Sequence, residues 1–343
     1  MAMLVQRKVL LILFFLGLGL TLLWSCTDKP LATIKLAGNT MGTTYHITVV
    51  DPAGQFDSLL LQSNIDARLK QINQQFSSYI SDSELMRFNV SPVDEWVGIS
   101  PELFHVLLQS LEISWLSGGA FDITTGPLVN LWGFGNAGHG NIVPSQADID
   151  ELLSAVGFQN IVLDIGDIKL MKKTALQLDL SAIAKGYAVD QLVSLLQAEN
   201  AQHFMVEIGG EIRVQGKNPN RQAWRIAIEE PNNSFGVIHR TLSITDKAVA
   251  TSGGYRNYFE KDGKRYSHTI SPVTGYPIEH NLVSVTVLAD QSAIADALAT
   301  AINVMGAEAG LKLAEQQALA VYLLIKTERG FEAKYSDAFK PYL

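Results

Sequence analysis

Two side chains in the last third of the chain have the chemistry and spacing of metal ligands. Asp296 and Thr300 stand four residues apart in a segment with helical periodicity, so a carboxylate and a hydroxyl project from one helix face. Mg²⁺ prefers such hard oxygen ligands and commonly completes its coordination shell with phosphate oxygens and water. The same pair also fits an ordinary polar helix face, so the residues alone leave both interpretations open.

A titratable side chain, His268, stands where a predicted strand ends and a Pro-Gly turn begins. Catalytic groups are often mounted at strand ends, and an unperturbed imidazole, with a pKa of about 6.5, exchanges protons near neutral pH. A lone histidine nevertheless has a structural role more often than a catalytic one. Asp179 and Ser181 precede a predicted helix, and helix capping is their simpler interpretation because Ser is a good N-cap and Asp favours the first turn.

The composition is that of a globular chain and excludes several kinds of partner and cofactor. Of 343 residues, 47% are hydrophobic and 17% are charged, which rules out disorder and leaves room for one large core or two smaller ones. The 34 acidic residues outnumber the 26 basic ones, so no broad basic surface exists to bind nucleic acid. The single cysteine, Cys26, excludes an intrachain disulfide and a cysteine-based zinc cluster.

Common cofactor motifs are missing from the sequence or stand in the wrong context. The seven histidines lack zinc-ligand spacing such as H-E-x-x-H, and no P-loop or G-x-S-x-G motif occurs. Residues 133–138 read G-x-G-x-x-G, the string of dinucleotide-binding proteins. That string has meaning only between a strand and a helix, and with Pro127 before it and Pro144 after it we predict a loop.

The N-terminus has the features of an export signal. Two basic residues precede an apolar stretch at residues 9–23, which is short for a transmembrane helix and typical of a secretory signal. The stretch ends in LWSC, residues 23–26, which resembles the lipobox of bacterial lipoproteins, in which the cysteine is lipidated. We predict a lipoprotein signal peptide over residues 1–25, a lipidated tether over 26–36 and a folded body over 37–343. An uncleaved signal anchor is the alternative.

Hydrophobic periodicity predicts helices mixed with consecutive strands. Alternating apolar residues predict a strand over 45–49, and helical spacing predicts helices over 58–76 and 292–304. Asp262-Gly263, between two strand-like runs, predicts a tight hairpin turn. Because the strands follow one another in runs, we predict an α+β fold with largely antiparallel sheets and packed helices, arranged as a two-lobed single unit.

Three finer predictions depend on single residues. Ser100 is predicted to cap a helix that begins at Pro101 and whose buried face includes Trp115. Ser181 is predicted to begin a helix that runs to residue 196. A short strand over 176–178 is predicted to precede that helix.

Six stretches of the chain, taken together, resemble one family. The six stretches are Met41-Gly42-Thr43-Thr44-Tyr45, Gly119-Ala120-Phe121-Asp122, Asp179-Leu180-Ser181-Ala182-Ile183-Ala184-Lys185-Gly186-Tyr187, Ile208-Gly209-Gly210-Glu211, Ser267-His268-Thr269-Ile270-Ser271-Pro272-Val273-Thr274-Gly275 and Asp296-Ala297-Leu298-Ala299-Thr300. In this order they resemble the FAD:protein FMN transferases, the ApbE flavin-transferase lipoproteins, and the similarity spans nearly the whole mature chain.

The resemblance implies a reaction and a set of site residues. The reaction is the Mg²⁺-dependent transfer of FMN from FAD to a threonine or serine hydroxyl of a target protein, which leaves a phosphoester-linked flavin and AMP. The flavin site is expected between the two lobes. The residues implied to contact FAD are Met41, Tyr79, Ala120, Phe121, Asp122, Asp179, Lys185 and Ile270. The metal is expected on the backbone oxygen of Ala182 and the side chains of Asp296 and Thr300, and we expect His268 to act as the general base because its imidazole suits proton removal from a hydroxyl.

The resemblance also implies partners and a location. The expected acceptors are exported, flavin-accepting subunits of redox complexes such as sodium-pumping quinone reductase. A lipid anchor at the N-terminus would hold the chain on the periplasmic side of a bacterial membrane. Two alternatives use the same residues: an FAD pyrophosphatase that gives free FMN and AMP, and a non-catalytic FAD-binding lipoprotein.

Overall fold

The computed structural model describes residues 29–135, 142–231, 236–254 and 257–343. The predicted signal peptide, Cys26 and the second half of the glycine-rich string lie outside these ranges. Across the four ranges, no helix has both the length and the apolar character needed to cross a membrane.

An open eight-stranded sheet forms the centre of the fold. In spatial order its strands are β1 (Thr33–Thr40), β2 (Thr43–Val50), β6 (Phe204–Ile208), β7 (Glu211–Gln215), β10 (Ala248–Ser252), β13 (Leu282–Ala289), β14 (Ala320–Thr327) and β15 (Gly330–Tyr335). Every neighbouring pair is antiparallel. The predicted α+β class with largely antiparallel sheets is therefore confirmed.

Helices cover one face of this sheet and bury the main hydrophobic core. α1 (Ser58–Phe76) packs on β1, α6 (Ala184–Ala198) on β6 and β7, and α7 (Ser292–Met305) on β10 and β13. From β2, Tyr45, Ile47 and Val49 point into this core and are fully buried, as their alternation predicted. The helices predicted over 58–76 and 292–304 are confirmed. The other helices are α2 (Glu84–Asn89), α3 (Pro101–Leu116), α4 (Gly126–Leu131), α5 (Gln146–Leu153) and α8 (Ala307–Gln316).

The opposite face of the sheet is covered by a hairpin. Its strands are β8 (Trp224–Glu229) and β9 (Ile238–Ile244), and their buried side chains form a second apolar cluster with Tyr322 and Phe339. A three-stranded sheet, in the order β3 (Val97–Gly98), β5 (Lys169–Lys172) and β4 (Ile161–Asp164), lies outside the main sheet.

A third apolar cluster forms a smaller unit beside the main core. It joins α4 and α5 to the hairpin of β11 (Tyr258–Lys261) and β12 (Lys264–Ser267), whose turn is the predicted Asp262-Gly263 pair with φ values of 52° and 75°. Trp132 lies at its centre and donates its indole N–H to the carbonyl of Gly275 at 2.8 Å. The main core and this smaller cluster correspond to the predicted two-part arrangement.

Two boundaries differ from the sequence predictions. β1 begins at Thr33, inside the predicted tether 26–36, because residues 33–40 pair with β2 along their whole length. The segment 176–178 is not a strand: Gln177 makes one isolated parallel bridge to Thr125, and the strand paired with β4 is the earlier segment Lys169–Lys172. Residues 169–172 and 176–178 are both short and partly apolar, and such a pattern alone does not show which of the two segments forms a strand.

The buried face of α3 was also predicted incorrectly at one residue. Ser100 caps the helix at Pro101 as expected, but Trp115 is 69% exposed and packs its ring edge-on against Phe158. The buried stripe instead continues through Ser110 and Ser114, whose hydroxyls bond to backbone carbonyls one turn earlier. Small polar residues in a buried stripe are invisible to a search for apolar periodicity.

Candidate active site

A cavity of about 930 Å³ lies between the main core and the smaller cluster. This volume is near the upper end of the range for small-molecule sites, about 300–1,000 Å³. All residues that the sequence assigned to flavin binding, metal binding or proton transfer line it, namely Met41, Tyr79, Ala120, Phe121, Asp122, Asp179, Ala182, Lys185, His268, Ile270, Asp296 and Thr300. The fold thus brings residues from distant segments to one place, and their individual roles stay predictions.

One wall of the cavity is the turn between β1 and β2. Met41 and Gly42 form this two-residue turn with φ values of 48° and 71°. A methionine in the left-handed region is unfavourable, and such conformations concentrate at functional sites. Asn73 on α1 holds the turn by donating to the Thr40 hydroxyl at 2.9 Å. Tyr79, just beyond α1, is 69% exposed and offers its ring to the cavity.

The loop before α4 is organised by Asp122. Its Oδ1 accepts hydrogen bonds from the backbone N–H and the hydroxyl of Thr124 at 2.8 and 2.6 Å, and its Oδ2 accepts from Phe158 N–H at 2.8 Å. Burial raises the pKa of Asp122, and the bonds from Thr124 oppose that rise. The neighbouring Phe121 is only 2% exposed, so its ring belongs mainly to the core. Tyr79 therefore offers more aromatic surface to a ligand than Phe121 does.

Asp179 and Ser181 form a turn rather than the start of a helix. Asp179 Oδ1 accepts from Ser181 N–H at 2.8 Å, and Asp179 N–H donates to the carbonyl of Ile123 at 2.7 Å. Asn89 fixes the preceding residue, because its side chain bonds both the N–H and the carbonyl of Leu178. α6 begins at Ala184 without a side-chain cap, so the prediction of Ser181 as its N-cap is wrong.

The start of α6 is held against α7 at a glycine. Gly186 N–H donates to Asp296 Oδ2 at 3.2 Å instead of bonding to the carbonyl of Ala182, its usual helical partner. One turn further on, Asp190 accepts hydrogen bonds from the backbone N–H groups of Ser292 and Ala293, which start α7. These contacts fix the helix that carries Asp296 relative to the one that follows Ala182.

The donor set of the cavity suits a hard divalent cation. Ala182 O, Asp296 Oδ1 and Thr300 Oγ1 accept no hydrogen bond from any described residue, although all three residues line the cavity. Free oxygens of these kinds are the ligands that Mg²⁺ prefers, with phosphate and water in the remaining positions. Within the described ranges no group of three or more His, Cys, Asp or Glu side chains is placed to bind a metal. A cation here would therefore depend on one carboxylate, one hydroxyl and one carbonyl.

Lys185 is the only lysine or arginine among the described residues that line the cavity. Its Nζ lies 3.5 Å from Asp296 Oδ2, 3.5 Å from Glu211 Oε1 and 3.4 Å from Ser181 O. Burial alone would lower the pKa of Lys185, but the attraction of Asp296 and Glu211 outweighs it and raises that pKa. No role was predicted for Glu211 from the sequence. The sequence pattern that could have indicated Glu211 is the Gly209-Gly210 pair before it. These two glycines form a turn with φ values of 57° and 103°, and β7 begins directly after it, at the cavity wall.

The imidazole of His268 is held in one orientation by Asn257. The Asn257 carbonyl lies 3.0 Å from His268 Nδ1 and also accepts the backbone N–H of His268 at 3.1 Å. Because a carbonyl only accepts, Nδ1 must carry the proton, which leaves Nε2 with its lone pair free. No described residue bonds to Nε2. Burial lowers the pKa of His268, and the hydrogen bond to Asn257 opposes that change. The side chain therefore has the tautomer and the charge state of a general base.

The profile of the ApbE family matches residues 41–323, which is most of the chain. The chain belongs to the ApbE family. Its relatives include the FAD:protein FMN transferase of Vibrio cholerae, 42% identical over 325 residues that cover 95% of this chain and 97% of the relative. The FAD:protein FMN transferase of Haemophilus influenzae is 42% identical over 331 residues, which cover 95% of this chain and 96% of that relative. The chain is therefore an enzyme of the same family as these transferases, and the resemblance seen in its sequence is confirmed.

The ApbE fold is confirmed independently by a solved structure. The flavin transferase ApbE from Vibrio cholerae superposes with a TM-score of 0.86 at 41% identity, covering 92% of this chain and 100% of that one. At this level of similarity the fold of the described residues is that of ApbE.

Close packing of α6 on α7 in this ApbE chain gives a test of the site's framework. A Cβ at Gly186 would lie 2.3 Å from the carbonyl oxygen of Ser292, which is backbone and cannot move aside alone. We expect Gly186→Ala to lower the free energy of unfolding by about 1–3 kcal/mol, the usual effect of overpacking. Urea denaturation measures this. Gly98→Ala is the matched control, because no atom lies within 4 Å of its Cβ position and the expected change is within about 0.5 kcal/mol. Equal stability of the Gly186→Ala variant and the wild type would contradict the close approach.

Proposed function

We propose that this chain transfers FMN from FAD to a threonine or serine hydroxyl of an exported protein, in a Mg²⁺-dependent reaction that releases AMP. One observation carries the proposal: the free Nε2 of His268 and the three free oxygens at Ala182, Asp296 and Thr300 belong to the same cavity. The relatives' activity, transfer of FMN from FAD to protein, needs a base for a hydroxyl and a cation for a pyrophosphate, and this cavity offers a place for each.

The charges of the cavity support a requirement for a metal. FAD carries two negative phosphates, whereas the described cavity wall provides one ammonium, Lys185, and four carboxylates. Mg²⁺ bound by Ala182, Asp296 and Thr300 would screen the phosphates and stabilise the negative charge that develops during attack on phosphorus. The remaining contacts to FAD are proposed for Met41, Tyr79, Ala120, Phe121, Asp122, Asp179, Lys185 and Ile270.

His268 performs the proton transfer in the proposed mechanism. Nε2 accepts the proton of the acceptor hydroxyl while its oxygen attacks the phosphorus on the FMN side of the pyrophosphate. A new P–O bond forms, the P–O bond to the AMP phosphate breaks, and AMP leaves with the bonding electron pair. Because Nδ1 stays bonded to the Asn257 carbonyl, the resulting imidazolium keeps its orientation.

The lowered pKa of His268 predicts the pH dependence of transfer. Neutral imidazole accepts a proton and imidazolium does not, so activity is retained above the pKa and lost as pH falls through it. Because burial lowers this pKa from its ordinary value of 6.5, we expect the acid limb of kcat/KM to have its midpoint below 6.5. Rates at constant ionic strength and saturating Mg²⁺ measure it. A midpoint above 6.5 would contradict the assignment.

Transfer is tested with the full chain in detergent, FAD, Mg²⁺ and an exported domain of a redox complex such as sodium-pumping quinone reductase. We expect the acceptor domain to become fluorescent and to gain the mass of one FMN, and we expect AMP to be released. An acceptor with its threonine changed to alanine is the control. Free FMN and AMP without an adduct would indicate a pyrophosphatase, and intact FAD would indicate a binding protein.

The location is proposed from the N-terminal sequence. A lipid on Cys26 would anchor the chain on the periplasmic side of a bacterial membrane, close to the exported acceptors. Mass spectrometry of the chain purified from the membrane fraction tests this. Lipid anchoring gives a chain that begins at a lipidated Cys26, whereas an uncleaved signal anchor gives a chain that keeps residues 1–25 and carries no lipid, and Cys26→Ala is the lipid-free control.

A further inference from the structure

Glu211 is a buried carboxylate of the cavity that the proposed chemistry does not use. It is the first residue of β7 and only 4% exposed. Its Oε1 lies 3.5 Å from Lys185 Nζ, whereas its Oε2 is fully buried without a hydrogen-bond partner. An unpartnered buried carboxylate oxygen is costly, so its presence at a functional site calls for an explanation.

The neighbouring ammonium is shared between two carboxylates and bound tightly by neither. Lys185 Nζ lies 3.5 Å from both Glu211 Oε1 and Asp296 Oδ2. Charge-assisted hydrogen bonds are normally about 2.7–2.9 Å long, so both contacts are long. A small movement of the flexible lysine side chain would therefore shorten one contact at the expense of the other.

The two carboxylates differ in what else they can bind. Asp296 has one oxygen, Oδ1, that accepts no hydrogen bond from the described residues and is available to a cation. An ammonium drawn fully onto Asp296 would cancel its charge and repel a divalent cation beside it. Burial raises the pKa of Glu211 to about 8, and the Lys185 ammonium opposes that rise. In its ionised form Glu211 offers the ammonium a second counter-charge, and its unpartnered Oε2 is a further acceptor on the same carboxyl group.

We propose that Glu211 is a positioning residue that draws the Lys185 ammonium away from Asp296 and so keeps Asp296 available to a divalent cation. The inference rests on the metal site of the proposed function. It assigns Glu211 an effect on cation binding that operates through Lys185 and before FAD is bound.

Cation binding is measured directly, without FAD, on the full chain in detergent and at a pH above about 8, where Glu211 is ionised. Mn²⁺ is the probe, and the free ion is counted by electron paramagnetic resonance. We expect Glu211→Gln to weaken Mn²⁺ binding about tenfold, a typical coupling for buried charges in contact. In the double variant Lys185→Met/Glu211→Gln no ammonium competes for Asp296, and binding should return to within about threefold of wild type.

A matched control is Glu207→Gln on the neighbouring strand β6. This carboxylate pairs with His46 and the N–H of Gly210 and does not line the cavity. We expect its Mn²⁺ affinity to equal that of the wild type. Circular dichroism checks that each variant is folded. Should Glu211→Gln fail to fold, Lys185→Met alone decides, because it should bind Mn²⁺ at least as tightly as the wild type.

The outcomes separate this inference from the proposed metal site. A wild type that binds no Mn²⁺ overturns the metal site and the inference with it. A wild type that binds, with a Glu211→Gln variant of equal affinity, overturns only the inference. Weak binding by both Glu211→Gln and the double variant would also overturn it, because Glu211 would then act through its own charge and not through Lys185. Weaker Mn²⁺ binding by Lys185→Met than by the wild type would likewise overturn the inference.

Discussion

Asp296→Ala should reduce Mg²⁺-dependent flavin transfer by about a thousandfold or more while leaving the chain folded. Asp296 supplies the only carboxylate among the three free oxygens of the cavity, and a catalytic cation contributes several kcal/mol, where about 1.4 kcal/mol is a factor of ten. The substitution also frees Gly186 N–H, which can then bond to the carbonyl of Ala182 and complete the first turn of α6. Loss of the Asp296 carboxylate would thus also engage the Ala182 carbonyl, a second expected metal ligand, in a hydrogen bond.

Two variants make this measurement specific. Asp296→Asn keeps an acceptor for Gly186 N–H but removes the charge, so we expect wild-type stability with activity nearly as low as that of Asp296→Ala. Asp290→Ala removes an exposed carboxylate just before α7 whose ion-pair partner among the described residues is Lys247, and full activity is expected. Transfer is followed as fluorescent acceptor formed per minute across a Mg²⁺ titration. A wild-type rate in Asp296→Ala at equal Mg²⁺ would remove Asp296 from the metal site.

His268→Ala should lower kcat for transfer by about 10²–10⁴-fold, the usual contribution of a positioned general base, with little change in the affinity for FAD. The side chain's Nδ1 is bonded to the Asn257 carbonyl and its Nε2 is free, so the substitution removes a proton acceptor without removing a charge from the cavity. Single-turnover rates with preloaded FAD separate the chemical step from binding.

The controls for His268→Ala come from the same chain. His105→Ala changes an exposed histidine on α3, outside the cavity, and should leave the rate unchanged. Partial recovery of the His268→Ala rate by added imidazole would support loss of a base rather than of packing. A rate equal to that of the wild type would require a different base, and the carboxylate of Asp122 is not free to serve because both its oxygens accept protein hydrogen bonds.

The parts of the fold with strong local periodicity were predictable from the sequence. α1 and α7 were predicted because one apolar stripe on each repeats at the helical period, and β2 because its apolar residues alternate. The start of α6 was not predicted correctly. A serine before an apolar run normally caps a helix, but here Ser181 lies in a turn in which its N–H donates to Asp179, and the helix begins later, at Ala184. Trp115 was wrongly predicted to be buried, because the side chains of α3 that are buried depend on which other elements pack against the helix.

The candidate site was predictable as a set of residues but not as a geometry. Asp296 and Thr300 share a helix face, so their pairing follows from spacing alone. The tautomer of His268 depends on the Asn257 carbonyl, and the environment of Glu211 depends on Lys185 in a different element. Such contacts join residues far apart in sequence, and no local pattern encodes them.

Under the proposed lipid anchor, the early start of β1 would limit how far this enzyme can reach. With a lipid on Cys26, as proposed, the six residues 27–32 lie between the membrane surface and the first strand at Thr33. A fully extended chain of that length spans at most about 20 Å, less than the diameter of the folded body itself. The enzyme would therefore work in a thin layer above the bilayer, and proteins held in that layer by their own membrane segments would meet it far more often than freely diffusing ones.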